Sequence, residues 1–517
     1  MKIQRTQNAS RNMLFSGALK IYQIIVPFLM RTAMIHYMGI QYLGLNTLFT
    51  SILQVLNLTE LGVGSAMVYS MYKPIADDDT DSICSLMKLY RLYYRIIGSV
   101  IAVVGLAISP IIPYLIKSDL PSELNIYVLY FLNLAATVFT YWLFAYRNSL
   151  FQAHQRIDVT SKIGLVMNTV KFLIQFLVIA FLQDYYVYII VSLLTQISSN
   201  IITAIISKKM YPEYNPKGEM DKSTSKKINN RIRDLFTSKV GGVILNSADS
   251  VVISAFLGLT ALAIYQNYYF IITAIIGIVA IIFDSVTAGI GNSIIIESKE
   301  KNYHDFEKFD LIITWIACFC TCCLLCLFQP FMELWVGTEL MLDYKAVICL
   351  CIYYFIYELN HLFNTYKDAA GIWHSDRYRP LITSVLNLAL NLLLVNNLGL
   401  YGVLLSTVVS TLLVGMPWLL HNLFTNVFSN NHLRTFLVKQ GKYILCSLIS
   451  VVCVLAGSFI TVNAVIRLLI NFVICFIIPN CAFYLAFRKT EEFNGCVLLV
   501  EKIIHGKLKF NRSIRKR

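Results

Sequence analysis

The chain has 517 residues, 57% of them hydrophobic and only 14% charged, and a mean hydropathy of +0.64, whereas soluble domains carry about 25% charged residues. That excludes a water-soluble fold of this length, which would lack the polar surface to cover its core, so lipid must be the missing solvent. The net charge of +14 does not mark a nucleic-acid binder, because the basic residues sit in short loops between apolar runs and in the tail, where they report topology.

A spanning helix needs ~20 mostly apolar residues. Fourteen runs qualify: about 13–37, 43–70, 94–116, 124–146, 160–183, 186–206, 234–257, 262–296, 309–332, 346–364, 380–396, 400–424, 442–462 and 465–487. The predicted fold class is therefore all-α and integral to the membrane, with about 14 transmembrane helices. The first run is too long for the short apolar region of a cleaved signal peptide. With the N-terminus on the cytoplasmic side, the outside loops receive only Lys117, Lys345 and Arg467, and every other short loop on the inside is basic. The positive-inside rule then predicts that both termini are cytoplasmic.

The 13 cysteines form no disulfide pattern. Five of them (Cys318, Cys320, Cys322, Cys323 and Cys326) crowd into one apolar run, where cysteine serves as a small hydrophobe. Metal ligands would need a polar second shell that this run does not offer, so no metal site is expected. The sequence has no P-loop and no acid pair or nucleophile triad with workable spacing. No enzyme activity and no cofactor are expected, and any transport would draw on a Na+ or H+ gradient, on the substrate itself, or on nothing.

The only linker-like stretch, 211–230, is rich in Pro, Gly, Ser and Lys and follows the sixth run. An internal repeat flanks it. Tyr146-Arg147-Asn148 followed by His154 matches Tyr366-Lys367-Asp368 followed by His374. Asn168 pairs with Asn387, Lys20 with Lys239, and Met38-Gly39 with Leu257-Gly258, all at an offset of 219. Six spans per half give both halves the same orientation, so the repeat is parallel, about an axis along the membrane normal. The predicted organisation is a first six-helix bundle over 1–210, a cytoplasmic linker over 211–230 and a second bundle over 231–425. An extra helix pair over 426–490 and a basic cytoplasmic tail over 491–517 complete the chain. A cleft between two like bundles suits alternating access.

A charge deep in a membrane is costly unless it faces a cavity or a partner. The predicted spans carry Lys20, Arg31, Glu60 and Lys171 in the first half, and Lys239, Asp249, Asp284, Glu358 and His361 in the second. Lys20 and Arg31 are eleven residues apart, three helical turns, and so share a face. Cations there suggest an aqueous cavity for an anion, and phosphate suits arginine's forked donors. The phosphate-binding candidates are Arg31, Lys20, Lys239 and Lys171. Two bland readings stand beside this one: Lys20 could snorkel to the interface, and Arg31 could be tethered to Glu60 or Asp249. Glu60, Asp249, Asp284 and Glu358 are candidates for ion coupling or for balancing the cations.

Several stretches resemble bacterial polysaccharide flippases of the Wzx type. They are Arg11-Asn12 with Gly39-x4-Gly44-Leu45, Glu60-Leu61-Gly62-Val63-Gly64-x-Ala66, and Tyr69-Ser70-Met71-Tyr72-Lys73-Pro74. In the second half come Asp249-Ser250-Val251-Val252-Ile253-Ser254, Gly289-Ile290-Gly291-Asn292, Ala370-Gly371-Ile372-Trp373, and Arg379-Pro380 with Asn387. The resemblance covers about 1–425, and it lies in the order of the motifs rather than in any one. It implies membership of the superfamily that also holds multidrug/cation antiporters and lipid II flippases, with two six-helix bundles around a central cationic cavity. It further implies an undecaprenyl-pyrophosphate-linked oligosaccharide as substrate, turned from the inner to the outer leaflet of the bacterial cytoplasmic membrane for capsule or O-antigen synthesis. Expected partners are the lipid-linked oligosaccharide, the bilayer, a polymerase and other glycan-assembly proteins, with no nucleic acid. The alternative is a multidrug/cation antiporter of the same fold.

Overall fold

The structure, a computed structural model, describes residues 5–498 and 501, apart from 61, 118, 119, 122 and 459–462. Lys2 of the N-terminal basic cluster and the tail ending NRSIRKR lie outside the described residues. Among those described, all regular structure is helical. In chain order the helices are α1 (Arg5–Tyr37), α2 (Ile40–Leu56), α3 (Val63–Ala76), α4 (Thr80–Ile108), α5 (Ile126–Trp142) and α6 (Asn148–Ala153). Next come α7 (Ile157–Leu177), α8 (Tyr185–Met210), α9 (Lys222–Leu257), α10 (Leu259–Ile296), α11 (Lys299–Trp335) and α12 (Tyr344–Ala369). The last are α13 (Trp373–Asp376), α14 (Arg379–Leu398), α15 (Leu400–Ser410), α16 (Met416–Asn426), α17 (Asn431–Ser458) and α18 (Ala464–Phe487).

Each of the fourteen predicted runs overlaps a helix. Among the described residues, twelve segments are long and apolar enough to cross a membrane, and a thirteenth is the pair Ile126–Trp142 and Ala145–Ala153, bent by 49°. The run at 43–70 differs from a simple span. There α2 stops at Leu56, a 3-10 turn covers Asn57–Glu60, and α3 resumes at Val63 after Gly62 in the left-handed region at φ 88°. The protein is thus an all-α, multi-pass membrane protein.

Short polar residues start these helices where the sequence changes from loop to apolar run. Asp79 caps α4, Asn125 caps α5 and Asp184 caps α8, each accepting from a backbone N–H two or three residues on, which satisfies a donor the helix leaves open. Asp221 caps α9 in the same way, and bonding to Ser223 holds its carboxyl below the usual range. Helix α9 therefore begins at Lys222, and the 211–230 stretch is irregular only as far as Asp221. The two repeat glycines share one backbone shape: Gly39 joins α1 to α2 at φ 115° and ψ 161°, and Gly258 joins α9 to α10 at φ 95° and ψ 172°. A residue with a Cβ rarely adopts either.

By packing, the helices form two compact units. The first comprises Met1–Gln266 with Pro380–Gly399, the second Asn267–Arg379 with Leu400–Arg517. Inside the first, α1 packs on α7, α2 on α9, α4 on α5, and α8 on both α5 and α7. Close approach relies on small residues, as is usual between helices in lipid: Gly241 of α9 lies against the backbone of Pro380 and Leu381.

Inside the second unit, α11 is the central element, packed on α12, α17 and α18. An aromatic core of Phe306, Phe363, Tyr366, Phe424, Phe428 and Phe436 fills one end. The last helix, α18, is fastened to α11 by polar contacts: Trp315 Nε1 donates to Asn480 Oδ1 at 2.8 Å and Asn471 Nδ2 to the Cys326 carbonyl at 3.0 Å. All thirteen cysteines are free thiols, and Cys318, Cys322 and Cys326 are buried along α11 as part of that packing.

Candidate functional site

Pro27 interrupts the hydrogen-bond ladder of α1, because its ring nitrogen carries no proton. One turn further on, Arg31 lines a pocket of about 280 Å³ inside the first unit. The other walls come from Leu43 and Asn46 of α2, Lys171 and Gln175 of α7, and Tyr188 and Ser192 of α8. Two of the four predicted phosphate ligands thus share one small pocket, and no lining residue is acidic. Lys171 is held over the Phe172 ring at 4.3 Å. Gln175 donates to the Tyr188 carbonyl at 3.1 Å and to Ser192 Oγ at 2.7 Å, which joins α7 to α8 behind the cations. Gln175 Oε1 is buried without a hydrogen-bond partner among the described residues.

The other two cations lie elsewhere. Lys20 is half-buried on α1 and outside this pocket, and Lys239 is exposed on α9. Tyr185, at the start of α8, is fully buried and stacks on Tyr188 at 5.7 Å between ring centroids. The pocket's polar wall was missed in the sequence, although a signal existed: Gln175 follows Lys171 by four residues and so shares its helix face.

The acids occupy separate settings. At the break between α2 and α3, Glu60 accepts from Tyr94 at 2.5 Å and from Tyr141 at 2.7 Å, and Tyr90 donates to Tyr94 at 2.7 Å. Both carboxylate oxygens therefore fix the break to α4 and α5. Removing one donor should leave a poorly satisfied acceptor, so Tyr141→Phe is expected to cost about 1–3 kcal/mol. Loss of melting temperature in detergent would register it, and an unchanged melting curve would contradict the bracing role.

Asp249 of α9 is buried and accepts from Asn391 Nδ2 of α14 at 2.7 Å, and Asn391 in turn donates to Asn387 at 3.3 Å. In the second unit, the fully buried Glu358 lies 3.7 Å from His361 Nδ1, and the His361 ring packs on Phe283 at 4.0 Å. The side chain of Asp284 lies outside the described residues. Among those described, no three His, Cys, Asp or Glu side chains come together as metal ligands would.

The described residues thus form an all-helical, multi-pass bundle that holds charged groups among its helices. The chain belongs to the polysaccharide biosynthesis protein family, whose model matches residues 9–288. Among solved structures, the fold is similar to the lipid II flippase MurJ in its inward closed conformation, at a TM-score of 0.66 and 17% identity, covering 91% of this chain and 99% of that one. It is also similar to an inward-facing multidrug resistance MATE family transporter of the MOP superfamily, at a TM-score of 0.60 and 13% identity, covering 78% of this chain and 97% of that one. A MOP superfamily transporter from Pyrococcus furiosus follows at 0.50 and 11% identity, covering 80% and 94%. No curated protein matches the sequence significantly.

Proposed function

We propose that the protein flips an undecaprenyl-pyrophosphate-linked oligosaccharide from the inner to the outer leaflet of the bacterial cytoplasmic membrane, feeding capsule or O-antigen assembly by alternating access. The observation that carries this reading is the pairing of Arg31 and Lys171 in one pocket without an acid. A diphosphate needs two or more positive donors away from bulk water, and arginine offers it a bidentate fork. The pocket is slightly smaller than the ~300 Å³ at which sites for drug-sized ligands begin. It therefore suits the diphosphate alone, with glycan and prenyl chain lying outside it.

A multidrug/cation antiporter, the second reading, would want acids where its cationic substrate binds. The buried acids Asp249 and Glu358 lie outside the cationic pocket and better suit coupling to a Na+ or H+ gradient. The glycan polymerase and its assembly partners would act on the product in the outer leaflet.

The direct test is reconstitution in liposomes with a lipid-linked oligosaccharide whose sugar is accessible to an enzyme added outside. Protein-dependent access that requires the diphosphate supports the proposal, and movement of cationic dyes without movement of the lipid would favour the antiporter. The orientation has its own test. Green fluorescent protein fused after residue 217 should fluoresce and alkaline phosphatase there should be silent, with the reverse at residue 117. Phosphatase activity at 217 would overturn the assignment drawn from the basic loops.

A further inference from the structure

Helix α4 presents Lys88, Arg91 and Arg95 at intervals of three and four residues, a spacing that places all three on one face. They line an open cavity of about 320 Å³ that the linker also borders at Gly218 and Met220. Glu219 of the linker also lines it, and among the described residues it makes no ion pair with any of the three cations. Arg95 also borders a second, open cavity of about 420 Å³, whose described lining is one face of α4 over Ile96, Ser99, Val100, Val103 and Val104. The valines of this second cavity are exposed on a membrane-spanning helix, so lipid is their solvent.

The depth of the junction is marked independently. Trp142 of α5 is exposed, covers Gly98 of α4 and donates its indole N–H to the Arg95 carbonyl at 3.3 Å. Exposed tryptophan concentrates at the boundary between headgroups and acyl chains. Trp142 thus marks Arg95 as the residue nearest that boundary, with the cationic cavity on one side and the exposed apolar face of α4 on the other. Neither cavity shares a residue with the Arg31 pocket.

The geometry points to a binding site for an anionic glycerophospholipid on α4. Lys88, Arg91 and Arg95 hold its headgroup phosphate, and one acyl chain lies along the exposed face of α4 over Val100, Val103 and Val104. Zwitterionic lipid lacks the net charge to reward three cations beside one another. A free phosphate lacks the chain. The inference concerns a resident lipid and is independent of what the Arg31 pocket carries.

The test uses the full-length protein in detergent, given phosphatidylglycerol or phosphatidylcholine of identical chains, with bound lipid counted by native mass spectrometry. Wild type should retain phosphatidylglycerol at least tenfold more tightly than phosphatidylcholine. Each basic residue near the headgroups contributes about fivefold in affinity, so Lys88→Gln with Arg91→Gln and Arg95→Gln should weaken retention on the order of a hundredfold. Val100→Trp should weaken it by putting a bulky ring where the chain lies on α4 while leaving every charge in place. Equal retention of the two lipids, or undiminished retention by the triple variant, would overturn the site. Competition by glycerol phosphate as strong as that by the full lipid would also overturn it, by showing a free-phosphate site. Should the triple variant fail to elute as wild type does, Arg95→Gln alone carries the same test with an expected loss of about fivefold.

Discussion

Arg31→Ala is expected to abolish export of the lipid-linked glycan while the protein stays in the membrane at its normal level. Truncating one member of a buried charge pair costs about 2–5 kcal/mol, and at that scale export falls by thirtyfold or more. Lys171→Ala should give a loss of the same kind, since its ammonium lines the same pocket. Arg31→Lys should keep part of the activity, because lysine retains the charge and loses the planar fork. A tether between Arg31 and an acid predicts otherwise. Removing the arginine would then strand a buried carboxylate and lower expression, and pairing Arg31→Ala with Glu60→Gln or Asp249→Asn would restore the protein. Glu60 already accepts from Tyr94 and Tyr141, and Asp249 from Asn391. Continued loss of export in both double variants, at normal expression, is therefore the expected result. Recovery in either would transfer Arg31 from substrate binding to packing.

The second large effect separates two neighbouring glycines. A Cβ on Gly241 would overlap the backbone of Pro380 and Leu381, whereas one on Gly242 would meet nothing within 4 Å. Backbone cannot yield as a flexible side chain can, so Gly241→Ala forces α9 and α14 apart. Overpacking typically costs 1–3 kcal/mol, occasionally more. Gly242→Ala, on the same helix, should be neutral or stabilise by up to about 1 kcal/mol through helix propensity. Melting temperatures of the two variants in the same detergent decide the matter. Equal behaviour would mean that α9 and α14 do not approach so closely.

The spans were legible because each needs an apolar run of fixed minimum length, and fourteen such runs stand between polar loops. The break after Leu56 was less legible, since apolar residues resume on both sides of it. Asn57, Thr59, Glu60 and Gly62 marked it, but single polar residues inside a long run read equally well as buried charges awaiting partners. Arg31 could be singled out by the cost of its burial. Its neighbour Lys171 could not be placed, because the packing of α1 on α7 is a contact between helices 140 residues apart in the chain, and one sequence carries no record of such contacts. For the same reason nothing in the sequence brings the buried Tyr90, Tyr94 and Tyr141 together around Glu60.

The free thiols bear on the chemical durability of the protein. A thiol reacts as the thiolate, which needs water or a cationic neighbour to form. Of the thirteen, only Cys453 and Cys481 are exposed, and both lie on α17 and α18, where the surrounding medium is hydrocarbon. Apart from the half-buried Cys496, which lies beyond the last span beside Lys308, oxidants and alkylating agents confined to the aqueous phase should find little to attack, despite a cysteine content that would make a soluble protein fragile. Small reagents that partition into lipid are the exception, and Cys453 and Cys481 are where they should react first.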